Sequence, residues 1–343
     1  MTRITEYSDD YRSAWSEYVE HAPDSTVAHR IGWRDVIHKS LGHKPMYLMA
    51  MSGSTVKGVL PLFVVTTWWR AKYIVSVPWL DYGGVCADDK ETEKLLLSEA
   101  TRITDDSGAR FLELRSPESN EIGLEKRLDK VSFPLELSSD PDKVWKAFGW
   151  EVRGRIKKSR KSGLTTEIGG LEKLDDFYRV FSRNMRDLGT PVWSKELFRN
   201  TLTEFPKDAE IILVRMNDTV IGCGLILSFK KTQYVPSASS FRWSLKYCPN
   251  NALYWSVIER ACQNGYECFD FGRSSWDSGT FRFKKKWGAP VKQLEWQYYL
   301  NKEKQVPQIS PDNPKYKTAI KLWKKMPVWL ANFIGPRVNR NFP

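Results

Sequence analysis

MYLMAMSGSTVKGVLPLFVV (residues 46–65) and EIILVRMNDTVIGCGLILSF (residues 210–229) read as one element written twice. Each has an apolar run with β-branched content, a polar turn (SGS or MND) and a second apolar run, which predicts a β-hairpin. Gly58 and Gly222 then correspond, 164 residues apart. Further on, KETEKLLLSEATRITDDSGARFLELRS (90–116) is matched by NALYWSVIERACQNGYECFDFGRS (251–274). Apolar residues at three and four spacing predict a helix that stops near Gly108 or Gly265 and leads at once into a short buried strand ending in Arg-Ser. Arg115 and Arg273 correspond at an offset of 158. Two matches in the same order, at nearly equal offsets, mean that one α/β unit has been duplicated.

Each copy is preceded by helical text, at 9–20 and 30–41 in the first and at 141–161, 172–188 and 194–203 in the second. Hairpin, connection, helix and strand in this order describe a mixed, mostly antiparallel sheet with helices on its faces, an α/β (α+β) class. A chain of 343 residues has room for two such domains of roughly 150 residues. The expected boundaries are a first domain at 1–140, a second at 141–300 that carries the site, and a basic amphipathic tail at 301–343.

Composition removes several classes of function. Hydrophobic residues make up 41% and aromatics 13%, so there is enough apolar surface to fold two cores. The first twenty residues lack the basic start and apolar stretch of a signal peptide, and no apolar run reaches the roughly 18 residues of a membrane span. Cys86, Cys223, Cys248, Cys262 and Cys268 are odd in number and scattered. They read as reduced thiols in a cytoplasmic protein. All four histidines lie within the first 43 residues with no HExxH spacing, so no metal site is expected. GxSxG, Walker and GxGxxG motifs are absent, which argues against triad hydrolysis, nucleotide hydrolysis and hydride transfer.

The net charge of +12 points to anionic partners. It is concentrated in EVRGRIKKSRKSG (151–163), with six cations against one acid, in RFKKK (282–286), and in residues 301–343, with nine cations against two acids.

WRDVIHKSLGHKPMYLMA (33–50), VPWLDYGGVCAD (77–88), RGRIKKSRKSGL (153–164), RNMRDLGTPVWS (183–194), PNNALYWSVIE (249–259), FDFGRSS (269–275) and GTFRFKKKWGA (279–289), taken together, resemble the FemAB-like proteins. The resemblance covers about Trp33 to Tyr299 and is strongest to the branch associated with exosortase and exopolysaccharide gene clusters. It implies a tandem duplicated GNAT (acyl-CoA N-acyltransferase) fold that transfers an acyl or aminoacyl group to an amine. No cofactor is expected to be tightly bound. The donor implied is aminoacyl-tRNA or acyl-CoA, and the acceptor a phosphate-bearing envelope or glycan precursor. The site is expected on the cytoplasmic side, at or near the inner face of the membrane.

Such a reaction needs a bound carbonyl, a neutral amine and donors for the oxyanion. GTFRFKKKWGA interleaves lysines with Phe281, Phe283 and Trp287; by similarity to the Fem pattern F-K-x-x-[FW]-G, Lys284 falls near the reacting carbonyl or the donor's phosphate. A solvated basic strand edge is the alternative. Asp270, between Phe269 and Phe271, can orient or deprotonate the amine, with Arg273 and Ser274 at the same strand end, where ligands commonly bind; Asp270 and Arg273 can equally pair with each other. Tyr234, Ser237 and Ser239 supply hydroxyls just before the helix that opens at PNN, and Asn250 and Asn251 read as its caps. Arg242 lies in a stretch without glycine, which weakens the case for a CoA pyrophosphate loop. Arg153, Lys157 and Arg160 can hold a phosphate-rich substrate, or the helix that bears them can be simply solvated. DYGG (81–84), with Trp79, reads as a turn that lines the acceptor side or, the reading preferred, as a structural turn. The tail from Tyr316 to Phe333, divided at Pro327, can lie on an anionic membrane as a peripheral contact or pack on the second lobe.

Overall fold

A computed structural model describes residues 2–116, 124–307 and 317–342. They form two compact units. The first holds Met1–Asp129, Gln293–Ile309 and Asn339–Pro343; the second holds Lys130–Lys292 and Ser310–Val338.

The main sheet of the first unit runs in the order Thr2–Glu6, Lys44–Ser52, Thr55–Thr66, Lys72–Val75, Phe111–Leu114, Trp296–Leu300, Glu125–Arg127. In the second unit the order is Leu164–Gly169, Ala209–Met216, Thr219–Phe229, Thr232–Ser240, Cys268–Asp270, Pro134–Glu136. Both sheets are antiparallel except where the strand after the hairpin meets the strand after the helix. Ile74 pairs in parallel with Leu112, and Tyr234 with Asp270. The helix between them is Lys90–Asp106 in the first copy and Pro249–Gln263 in the second. It covers the sheet with Leu96, Leu97 and Ala100 in one case and Leu253, Val257 and Ile258 in the other.

The duplication reaches into fine geometry. In the first hairpin Ala50 pairs with Gly58 and Met51 with Val56, so Lys57 is an extra residue. In the second, Val214 pairs with Gly222 and Arg215 with Val220, which makes Ile221 extra. The same β-bulge therefore immediately precedes the two glycines matched in the sequence. Close packing restricts both positions. A Cβ on Gly58 would come within 3.0 Å of Leu96 Cδ1, and one on Gly222 within 3.0 Å of Ser240 Oγ.

One strand departs from the expected partition. Sequence order places Trp296–Leu300 in the second domain, but the strand pairs antiparallel with Phe111–Leu114, with Gln297 opposite Leu114, and belongs to the first unit. A pairing across so long a separation leaves no trace in local periodicity. The first unit ends at Asp129 instead of residue 140, because Pro134–Glu136 pairs with Cys268–Asp270.

The tail forms two helices, Lys317–Lys325 and Val328–Asn339, separated at Pro327; Tyr316 lies outside the described residues. Within the second unit it packs on the helix Leu174–Leu188. Arg186 donates to Met326 O at 2.8 Å, and a Cβ on Gly189 would collide with Ile320. Leu322, Trp329 and Phe333 remain exposed. No helix among the described residues is long and apolar enough to cross a membrane.

In the first unit the end of the strand Phe111–Leu114 is closed by a buried ion pair. Arg115, 1% exposed, donates through Nε to Glu113 Oε1 at 2.7 Å and through Nη1 to Leu80 O at 2.8 Å, with Trp296 under its guanidinium. Tyr298 OH donates to the other Glu113 oxygen. DYGG is structural, as read: Gly83 N donates to Arg115 O, and a Cβ on Gly84 would lie 1.9 Å from Ser116 Oγ.

Burial, and then the charge of Arg340, lower the pKa of His43 from the usual 6.5 to about 4. The unfolded chain therefore binds a proton between these values that the folded chain does not, and stability falls as pH drops from 6.5 towards 4. The loss for this group is expected to reach about 3 kcal/mol. Denaturant titrations at pH 7.5 and 4.5 should show a smaller acid loss in His43→Gln than in wild type.

Candidate functional site

In the second unit the corresponding strand end is built around glycine. Asp270, 8% exposed, accepts from Gly272 N at 2.7 Å. Gly272 has φ +74°, and a Cβ there would stand 3.0 Å from Val235 O and 3.1 Å from the Tyr234 ring. Both the left-handed backbone and the close approach favour glycine. From the other side Lys284, 6% exposed, donates its ammonium to Gly272 O at 2.8 Å and to Arg273 O at 2.9 Å. Asp270 and Lys284 thus hold one short loop from two directions.

Lys284 is carried by the helix Gly279–Lys285, whose start is capped by Ser278 accepting from Phe281 N at 3.1 Å. The stretch is therefore not a basic strand edge. Helical spacing sorts its side chains: Phe281 and Lys284 are buried, while Arg282, Phe283 and Lys286, with Trp287 just beyond, line a cavity of about 250 Å³. Arg155 and Asn251 contribute from neighbouring helices. Glu151 Oε1 accepts from Lys286 at 2.6 Å and from Arg155 at 2.8 Å, so one acid pairs with two of the three cations that line the cavity. The indole N–H of Trp287 is buried and has no hydrogen-bond partner among the described residues.

An aromatic cluster backs this region, with Tyr254 at 5.1 Å from Phe271, 5.6 Å from Phe283 and 6.0 Å from Trp287. Burial, followed by the nearby charge of Asp270, raises the Tyr254 pKa, which keeps the phenol protonated.

The sequence-predicted residues separate into groups. Asp270, Lys284, Arg273 and Tyr234 meet around Gly272, Tyr234 lying in register with Asp270. Ser274 follows; its Oγ is buried without a hydrogen-bond partner among the described residues. Trp287 lines the cavity, whereas Lys284 is not among its lining residues. Ser239 accepts from Asn184 Nδ2 at 3.0 Å, and Ser237 is half-buried on the same strand. Arg242 is exposed on the 3-10 turn Arg242–Tyr247.

Of the basic helix, now Trp150–Lys161, the cavity takes Arg155 rather than Arg153, Lys157 or Arg160. Arg155 shares a face with Val152, whereas Lys157 is exposed and Arg160 lies 3.7 Å from Glu259 and over the Trp145 ring. Asn250 accepts from Ser240 Oγ and Asn251 lines the cavity, so neither caps the helix; it begins at Cys248 and Pro249 without a side-chain cap. Sequence alone does not single out Arg155, Arg282 or Lys286 as site residues, and it offers Phe283 only as an apolar neighbour of the lysines and Asn251 only as a cap. The signal available was spacing: reading 279–287 as helix puts Arg282 and Lys286 on one face at i, i+4. Among the described residues no group of three or more His, Cys, Asp or Glu is placed to hold a metal ion.

Residues 150–285 match the acetyltransferase (GNAT) domain family. No curated protein sequence matches the chain. Among solved structures, FemX superposes with a TM-score of 0.69 at 14% identity, covering 93% of this chain and 100% of its own. The C-terminal domain of a putative lysylphosphatidylglycerol synthetase from Agrobacterium fabrum gives 0.56 at 14% identity, covering 84% and 91%. A tandem GNAT protein from the clavulanic acid biosynthesis pathway gives 0.55 at 10% identity, covering 88% and 98%. At these identities the likeness speaks for the fold. Residues 150–285 are thus similar to a GNAT acetyltransferase domain, and the fold of the chain is like those of FemX and of the tandem GNAT protein.

Proposed function

We propose that this protein is an N-acyltransferase or aminoacyltransferase that takes its acyl group from a phosphate-bearing donor and passes it to an amine of a cell-envelope or exopolysaccharide precursor. The observation that carries the reading is the cavity of the second unit. It sets Arg155, Arg282 and Lys286 against Phe283 and Trp287, with Arg282 and Phe283 on the same helix as Lys284. Cations next to aromatic faces suit a ligand that joins phosphates to a ring or an apolar chain, as acyl-CoA and the acceptor end of aminoacyl-tRNA both do. The unpartnered Trp287 N–H supports a ligand acceptor there, since a buried donor left unpaired costs about 1–3 kcal/mol.

In the proposed reaction the acceptor amine attacks the donor carbonyl. A C–N bond forms, the C–S bond of a thioester or the C–O bond of an ester breaks, and the amine proton passes through Asp270 towards the leaving group. Lys284 supplies positive charge to the developing oxyanion. The first unit offers no equivalent, its strand end being closed by Arg115 and Glu113. The exposed Trp329 and Phe333 of the tail are in keeping with peripheral membrane contact. A CoA- or carrier-dependent transfer to an amino sugar is the second reading, favoured by the acetyltransferase domain match.

Binding of acetyl-CoA, a longer acyl-CoA and aminoacyl-tRNA is to be measured side by side at two salt concentrations. Arg282→Gln and Lys286→Gln should each weaken the true donor by about tenfold or more, with a smaller effect at high salt. Undiminished affinity in both variants would remove the cavity from the donor site, and binding of none of the three would leave a duplicated fold without transferase activity. Tight, salt-sensitive tRNA binding selects aminoacyl transfer, and saturable CoA binding selects the second reading.

A further inference from the structure

The hairpin between Thr55–Thr66 and Lys72–Val75 in the first unit ends in Trp68-Trp69-Arg70, and both tryptophans face solvent, 66% and 49% exposed. Large aromatics are seldom left so open on a soluble surface without a partner. The tip is also firmly built. Thr67 N donates to Ala71 O at 2.9 Å, Arg70 N to Thr67 O at 2.9 Å, and Ala71 N to Thr67 Oγ1 at 2.9 Å, with Arg70 in the left-handed region at φ 63°. The chain's last residues brace it from the side. Asn341, 2% exposed, accepts from Trp68 N at 2.9 Å through Oδ1, and its carbonyl accepts from Tyr73 OH. The rings form one cluster: Trp68 lies 5.9 Å from Trp69 edge-on, and Trp69 lies 6.2 Å from Phe342. Around them the sequence supplies Arg70, Lys72 and Arg340, all exposed, and no acid between Val64 and Val75 or between Arg337 and Phe342.

We infer that this tip is a membrane-interface anchor that seats Trp68 and Trp69 at the headgroup level of an anionic bilayer. Indole has an apolar body and a polar N–H, the combination that places tryptophan at the boundary between hydrocarbon and water. The flanking cations, with no acid among them, select anionic headgroups over neutral ones. The rigid turn limits the ordering lost on insertion. The inference stands on the first unit alone and does not depend on the transferase reading.

The test is co-sedimentation of the full chain with vesicles of phosphatidylcholine alone and of phosphatidylcholine containing phosphatidylglycerol. Wild type is expected to favour the anionic vesicles. The double variant Trp68→Ser/Trp69→Ser should lose at least about tenfold in partitioning. Arg70→Gln and Lys72→Gln should each lose about fivefold, and only with anionic vesicles. Trp329→Ser/Phe333→Ser separates a contribution of the tail, and the thermal midpoint of the hairpin variant, expected to match wild type, shows that folding is intact. Equal partitioning onto both vesicle types, or undiminished partitioning by the double variant, overturns the anchor. So does retention on a polysaccharide matrix without vesicle binding, which would make the ring pair a sugar-stacking platform.

Discussion

Lys284→Met is expected to slow acyl transfer by about 10²–10³-fold, the usual cost of removing one donor to an oxyanion, while the donor still binds. The ammonium is buried and held by Gly272 O and Arg273 O, so its charge is fixed before any substrate arrives. A preorganised charge contributes in the transition state without reorganisation, and its loss therefore falls on kcat. The same side chain also fastens the loop, and a purely structural role predicts a different pattern. Donor Kd, measured separately by equilibrium binding, would rise together with the fall in kcat, and the thermal midpoint would drop. A selective loss of kcat supports the oxyanion role; a parallel loss of affinity, rate and stability reduces Lys284 to a fastener. Gly272→Ala is the companion change. Its Cβ would press on Val235 O and the Tyr234 ring, and the strained φ adds to the cost, so it should disturb loop and rate together.

Arg115→Ala should destabilise the first unit by about 3–5 kcal/mol, because it leaves the buried Glu113 carboxylate without its charge partner. Tyr298 OH would still donate to that carboxylate, but it brings no charge. Replacing both partners together, as Arg115→Met with Glu113→Leu, should recover most of the loss, since apolar residues of similar volume need no compensating charge. Guanidinium unfolding of the three proteins decides the point. If the single and double variants are equally unstable, the pair is not what holds this strand end, and packing of the Arg115 stem on Trp296 would account for the effect instead.

These two arginines show how far the duplication could be read. Arg115 and Arg273 align in the sequence, yet one is sealed in an ion pair while the other is half-buried on the loop held by Asp270 and Lys284. Glu113 and Gly272 are unremarkable letters in a single sequence, and neither announces a sealed end or an open one.

The sequence alone determined the repeated hairpin, helix and strand, the glycines at its bulges, the helical text before each copy and the break at Pro327. Each of these depends on local periodicity, turn chemistry or backbone sterics, which neighbouring residues fully express. Only the tertiary structure decided that Trp296–Leu300 pairs into the first sheet, that Arg155 rather than Arg153, Lys157 or Arg160 meets Arg282 and Lys286, and that Lys284 is held by the carbonyls of Gly272 and Arg273. Those outcomes depend on which helix face meets which neighbour and on pairings across long stretches of chain, and a rotation of one residue along a helix exchanges a cavity wall for a buried contact.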